Sequence, residues 1–407
     1  MLEIARAAKL QPGATVEASG VTIVRQLAPG DEVEAAATVR LNGHGTADDV
    51  TGTTSVHLRV ESLSQLEPAF LFYSDDPEKI PVTSAGVLYR NTISPGLTAR
   101  LYAYHVATGP DTHLSLVLQS NSVAAHVQLL GSAAGPTNAY AYVGHVATLQ
   151  YLLEHAAQES AIVPVEAGAP YVTALGRGVM HPNELVTAVF DLRVLDGGPV
   201  EVALVATAGD ADPASFLGAP DAAGDGHGRR GTFSLVSVPA LGLTFTAGAS
   251  EPAPFSVGAN GLLNLEPGGR PLGGDYGVLR NVSLQLHNPL AQPRDVYLYE
   301  SPAGGSSTTT IWFTGDDRPT EFPCVRGSTA RYIVKQFSLA PGENRVVGGE
   351  FMTDGASSFP LLFGLTAVPP SPPPGPYAPD ACNPKPLPAP SESPAPAPSS
   401  LPSPAAT

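Results

Sequence analysis

Thr54-Ser-Val-His-Leu-Arg-Val60 decides the reading of this chain. Val56, Leu58 and Val60 fall on one face of an extended segment, and His57 and Arg59 fall on the other. A repeat of two is the mark of a strand with one wet face and one dry one. The same alternation recurs in Leu101-Tyr-Ala-Tyr-His-Val106, His113-Leu-Ser-Leu-Val-Leu-Gln119, Pro199-Val-Glu-Val-Ala-Leu-Val-Ala206, Val282-Ser-Leu-Gln-Leu-His287 and Arg294-Asp-Val-Tyr-Leu-Tyr299. Turn signals such as Ala28-Pro-Gly-Asp31 and Asn42-Gly-His-Gly45 separate these runs, at the spacing of β-sandwiches.

One stretch breaks the pattern. Val143 to Ala157 carries Val146, Leu149 and Leu153 at helical spacing, with good helix formers between them. The spacing predicts one amphipathic helix over 144–157, lying across a sheet end with those three residues buried. The chain is therefore expected to be all-β: two tandem sandwich-like domains, one edge helix and a disordered Pro-rich tail.

The expected map runs as follows. Residues 1–66 supply N-terminal strands to the first sandwich, which occupies 67–208 with its helix. A loop-rich connection with strands covers 209–275, and the second sandwich 276–368. From Pro369 to Thr407 the prolines remove backbone donors and leave almost nothing to bury, so the folded body should end near Val368. A weak echo, Gly86-Val-Leu-Tyr-Arg-Asn91 against Gly277-Val-Leu-Arg-Asn281, is what two related sandwiches would leave.

Composition narrows the function classes. Only 14% of the 407 residues are charged, against about 25% in ordinary soluble domains. With 21 basic and 37 acidic residues the net charge is −16. That argues against nucleic acid, and against anionic membrane surfaces, since both need clustered Lys and Arg. A low-charge surface of Ser, Thr, Gly and Ala is common in exported β proteins. An extracytoplasmic location is the expectation, on the assumption of a leader upstream of Met1.

No catalytic pattern stands out. There is no G-x-S-x-G elbow and no P-loop, and the strand–helix alternation that such motifs need is missing. Neither a cofactor nor a tight metal is expected. The weak metal candidates are Asp210, Asp212, Asp221 and Asp225 in the acidic stretch 209–228, which lacks the ligand spacing of a tight calcium loop. A solvated acidic loop is the favoured reading of this stretch. His105, His126, His145 and His155 show no ligand periodicity. Cys324 and Cys382 have no metal-ligand spacing, and an oxidising compartment would allow them to pair. Tyr140 with Tyr142, Tyr297 with Tyr299, and Trp312 offer flat faces for stacking on a sugar, and core or cross-strand packing explains the tyrosine pairs equally.

Beginning at Ser74-Asp-Asp-Pro-Glu78, an ordered set of short pieces resembles a family of exported bacterial proteins of unknown function, some carrying a copper amine oxidase-like N-terminal stalk domain. The pieces that follow are Gly86-Val-Leu-Tyr-Arg90, Ala99-Arg-Leu-Tyr-Ala-Tyr-His105, Gly135-Pro136, Tyr142-Val-Gly-His-Val-Ala-Thr148, His227-Gly-Arg-Arg-Gly-Thr-Phe233 and Gly274-Asp-Tyr-Gly-Val-Leu279. The resemblance implies an extracytoplasmic, mostly β, non-catalytic protein and supplies no active residues. This chain departs from it in having no recognisable stalk. The reading is a structural or binding protein of the cell envelope or exterior, whose partner is a polysaccharide or a protein. The alternatives are a β-sandwich hydrolase or carbohydrate-active enzyme, and a calcium-stabilised adhesin.

Overall fold

The computed structural model describes residues 15–19, 27–42, 49–60, 62–81, 86–226, 228–259, 261–327 and 330–373. Three antiparallel strands come first: β1 (Thr15–Ser19), β2 (Glu32–Asn42) and β3 (Val50–Arg59). They form a three-stranded sheet that shares no ladder with another strand among the described residues. The reason lies in their side chains. In β2 only Ala35 and Ala37 are buried, and β3 keeps Val56 and Leu58 merely half-buried, so these two strands have little apolar area to commit to a shared core.

The next eleven strands build the first sandwich. They are β4 (Phe70–Ser74), β5 (Lys79–Ile80), β6 (Gly86–Ile93), β7 (Thr98–Ala107), β8 (Thr112–Gln119) and β9 (Ala125–Thr137). Helix α1 (Tyr140–Ala157) follows, then β10 (Ala161–Val165), β11 (Tyr171–Ala174), β12 (Leu185–Gly197), β13 (Val200–Ala208) and β14 (Arg230–Ser234). One sheet runs β10-β9-β12-β7-β4-β14, with β5 also on β7, and the other runs β11-β8-β13-β6. Leu101, Ala103, Leu116, Leu118, Val186, Leu192, Val202 and Leu204 interdigitate between them.

The second sandwich comprises β15 (Leu241–Thr246), β16 (Phe255–Val257), β17 (Arg280–His287), β18 (Arg294–Ser301) and β19 (Ser306–Phe313). Its remaining strands are β20 (Thr320–Arg326), β21 (Tyr332–Leu339), β22 (Asn344–Thr353) and β23 (Leu361–Thr366). The sheets are β15-β17-β22-β19-β20 and β16-β23-β18-β21, closed over Leu284, Leu298, Phe313, Phe351 and Phe363. The segment 209–275 is therefore more than a connection: it gives β14 to the first sandwich and β15 and β16 to the second. The two echoing segments lead into unlike places, an edge strand of a four-stranded sheet (β6) and an inner strand of a five-stranded one (β17).

A third core joins the sandwiches. Tyr73, Tyr102, Leu130 and Val189 on the outer face of the seven-stranded sheet pack with Val143, Ala147, Tyr151 and Leu152 of α1. Leu272, Tyr276, Val278 and Met352 close it from the second sandwich. Helix α1 thus lies between the domains. Its buried stripe differs from the expected one: Val146 and Leu149 are half-buried and Leu153 is 42% exposed. The buried residues are Ala141, Val143, Ala147, Tyr151 and Leu152, with Gly144, His145, Thr148 and His155 among them. Two partners, one on each side, draw polar side chains into the stripe, which a simple apolar periodicity misses. Gly144 lets the backbones touch, because a Cβ there would lie 2.4 Å from the carbonyl oxygen of Gly355.

The folded body passes Val368. Ser371 exchanges backbone hydrogen bonds with Arg331 and Ile333 (3.1 and 3.0 Å). The rest of the Pro-rich tail, from residue 374, lies outside the described residues. No helix among the described residues is long and apolar enough to cross a membrane.

The helix offset is testable. Leu152→Ala should cost about 2–4 kcal/mol of unfolding free energy in denaturant melts, the toll of a cavity in a packed core. Leu153→Ala should stay within about 0.5 kcal/mol. Equal effects would mean that the helix buries the other stripe.

Candidate functional site

The residues singled out as Ser74-Asp-Asp-Pro-Glu78 and as Gly228-Arg-Arg-Gly231 meet in space. β4 and β14 are antiparallel neighbours with Ser74 opposite Arg230. The Asp75 amide donates to the Arg229 carbonyl oxygen at 2.9 Å. The two turns beyond the ladder then hold each other. Asp76 accepts from the amides of Asp225 and Gly228, and Asp225 accepts from the Glu78 amide at 2.8 Å. This lock places the Arg229 guanidinium between two carboxylates, 2.9 Å from Asp75 and 3.1 Å from Glu78.

The three charged side chains form one wall of a cleft between the sandwiches, with a volume of about 300 Å3. Tyr104 of β7, Tyr140 at the start of α1, Tyr276 and the Ser357–Ser358 turn complete it. The tyrosines belong to a larger stack. Tyr73 lies on Tyr102 at 5.0 Å, Tyr102 on Tyr276 at 6.1 Å, and Tyr276 meets Phe359 edge-on at 4.8 Å. Most polar groups of the wall are committed. The Tyr276 hydroxyl donates to the Ser357 carbonyl, and the Tyr140 hydroxyl to the Asn183 carbonyl at 3.0 Å.

Asp75 is 1% exposed and pairs with Arg229 through Oδ2, while its Oδ1 has no hydrogen-bond partner among the described residues. Burial pushes its carboxyl well above the ordinary range. Arg229 opposes that shift, and the carboxylates of Glu78, Asp225 and Asp76 add to it. Burial likewise raises the phenols of Tyr104 and Tyr276, so both stay neutral.

Of the sequence candidates, only Tyr140 reaches this cleft. Tyr142 is on the exposed side of α1. Tyr297 and Tyr299 are buried in β18, and the Arg331 guanidinium lies 4.6 Å above the Tyr299 ring, so neither offers an open stacking face. Trp312 is half-buried and donates from its indole to the Asp316 carbonyl at 3.0 Å. Asp212 caps the 3-10 turn Pro213–Phe216, Asp221 pairs with Arg90 and Arg230, Asp225 belongs to the turn lock, and Asp210 is exposed. The acidic stretch works as a cover: Phe216 and Leu217 pack on Val87, Val117 and Val205 on the outside of the smaller sheet. No group of three metal-ligating side chains converges among the described residues. Cys324 is buried in β20 and is not a free thiol, while Cys382 lies outside the described residues.

The four histidines take separate partners. His126 is exposed beside Asp196 at 2.8 Å, and His155 stacks on Tyr151. His105 sits with Nε2 2.9 Å from the Ser74 hydroxyl and Nδ1 2.8 Å from the Pro77 carbonyl, and burial drives its pKa down to about 4. His145 links the domains. It lies 2.8 Å from Asp354 and 2.9 Å from Glu321, and Thr308 and Thr310 donate to the same Asp354 carboxylate at 2.9 and 3.0 Å. Burial alone would lower its pKa, but the two carboxylates outweigh it and hold the imidazolium up to about 8.

Sequence reasoning missed Asp75, Glu78, Tyr104, Arg229 and Tyr276. The available signal was local: paired acids before a proline and paired arginines between glycines, in a chain poor in charge.

No family model matches this chain, and no curated protein matches it. Three solved structures give weak likenesses. Tripeptidyl peptidase 2 aligns at 11% identity and a TM-score of 0.17, over 89% of this chain and 30% of its own. Lac15 from a marine microbial metagenome aligns at 12% and 0.15, over 83% and 74%. The CBM22-1–CBM22-2 tandem of Paenibacillus barcinonensis Xyn10C aligns at 8% and 0.14, over 88% and 92%. At such scores none of them bears on the ligand. The chain spans under a third of the peptidase's length.

The His145 bridge fixes a pH dependence. Its pKa is raised in the folded state, so its contribution is fully present below the unfolded value of 6.5 and is lost as pH rises through about 8. Relative to His145→Gln, the wild type should lose about 1–2 kcal/mol of unfolding free energy between pH 6 and 9. Parallel curves for the two proteins over that range would show that folding leaves the His145 pKa unshifted.

Proposed function

We propose that this protein is a non-catalytic, extracytoplasmic binding protein whose ligand enters the cleft between its two sandwiches. The observation that carries the reading is the Asp75 carboxylate. A buried acceptor without a donor is costly, and Asp75 belongs to the wall of a cleft that also carries Glu78, Arg229 and three tyrosines. The low charge density and the two-sandwich architecture support a place outside the cytoplasm.

The polar groups support binding over turnover. Ser74 and His105 form a serine–histidine contact, but both are wholly buried, and the group on the far side of the imidazole is a carbonyl oxygen. A substrate has no approach to that hydroxyl, and no carboxylate orients the base. Asp75 and Glu78 favour a second reading, a carbohydrate-active hydrolase, because two carboxylates in one cleft are its basic equipment. Arg229 weighs against it. One guanidinium pairs with both side chains and restrains both.

A thermal-shift screen of sugars, amines and short peptides checks this reading. Compounds that raise the melting temperature of the wild type should lose their effect in Ser358→Trp, whose indole fills the cleft. No hydrolysis product should accumulate. Ligands that stabilise Ser358→Trp equally would place the site elsewhere. Turnover that vanishes in Asp75→Asn would establish the hydrolase instead.

A further inference from the structure

We infer that the ligand group received by the cleft is an organic cation: an alkylammonium head, primary or methylated, on a short apolar neck. The inference rests on the cleft being the binding site, and it names the class of ligand from the wall's remaining chemistry.

Charge is the first argument. Glu78 lines the cleft beside Asp75 and Arg229, and Asp76 and Asp225 stand behind them in the locked turns, so the carboxylates outnumber Arg229 even with Asp75 protonated. The local balance is negative, which favours a cationic group. An anionic ligand would meet the partly exposed Glu78 carboxylate, whereas a cation would pair with it.

The second argument is the shortage of open hydrogen-bonding groups. Arg229 is engaged by two carboxylates, and the hydroxyls of Tyr140 and Tyr276 are given to backbone carbonyls. A sugar carries a hydroxyl on nearly every carbon, and each would need a partner on entering. The polar groups left on the wall are few: the Glu78 carboxylate, the Asp75 carboxyl, and the hydroxyls of Tyr104 and Ser358. Those serve one compact charged head. Aromatic rings make up much of the remaining wall, and ring faces attract ammonium groups and cover methylene chains. A volume of about 300 Å3 suits a ligand of side-chain size.

Isothermal titration of the full chain at pH 8 and low salt, with n-butylammonium and n-butyltrimethylammonium, tests this. 1-Butanol is the neutral isostere, and N-acetylglucosamine trimer is the sugar probe. The ammonium probes should bind, and binding should weaken about tenfold in Glu78→Gln, whose side chain is partly exposed, and several-fold in Tyr104→Ala. Affinity should also fall with added salt. Ser358→Trp should abolish binding. If butanol or the sugar binds as well as the ammonium probes and Ser358→Trp removes that binding, the cleft is a binding site and the cation assignment is wrong. If none of the probes binds, or binding is indifferent to Ser358→Trp, both the cation assignment and the cleft reading fall.

Discussion

The seven-stranded sheet of the first sandwich must be covered on both faces, and the rest of the molecule follows from that. All ten residues of β7 are buried, and so are the first eight of β12 beside it. Ala99, Leu101 and Ala103 face the small sheet, while Tyr102, Tyr104 and Val106 face the other way. That second face also carries Arg100, directly across the ladder from Asp191. Arg100 is 2% exposed and Asp191 fully buried, with the Arg100 Nε 2.7 Å from the carboxylate. Tyr151 of α1 closes the pair: its hydroxyl donates to Asp191 at 2.9 Å, and its ring lies under the guanidinium at 4.8 Å. A buried ion pair needs every polar atom satisfied to break even. The helix and the second sandwich supply that satisfaction, with the Gly277 carbonyl accepting from Arg100 at 3.2 Å.

This arrangement makes the two sandwiches one packed body. Between independent domains a polar, sliding interface is the usual expectation. Here the contact has an apolar centre of tyrosines, leucines and valines and an ionic bridge at His145. Where the cover is incomplete, at the ends of β4 and β14, the cleft remains. Its acidic and aromatic wall is made from the same tyrosine stack that fills the interface, so the site and the domain junction share their supports. Displacement of one sandwich against the other would change the cleft directly.

Strand identity was legible in the sequence, because side-chain alternation is a local property of extended backbone. The segments around His113, Val200, Val282 and Arg294 form β8, β13, β17 and β18. The helix was legible too, since a run such as Val146-Ala-Thr-Leu-Gln-Tyr-Leu-Leu-Glu cannot alternate. Which of its faces would be buried was not. Periodicity reports the apolar side, and α1 buries His145, Thr148 and His155 because their partners arrive from distant strands. Nor was the parallel pairing of β4 with β7 and of β15 with β17 legible, since register between remote segments is set by packing.

The sequence by itself determined an all-β chain of low charge, with strands, turns and one helix at definite places, since these follow from spacing and composition over a few residues. Only the tertiary structure decided that Asp75, Glu78, Tyr104, Tyr140, Arg229 and Tyr276 stand around one cleft. They lie on five separated segments whose meeting depends on two-sided burial of a sheet, and on which residues happen to cover it. A single strand's alternation fixes which side chains share a face. It cannot fix what that face will touch, because the covering surface is contributed by residues far away along the chain.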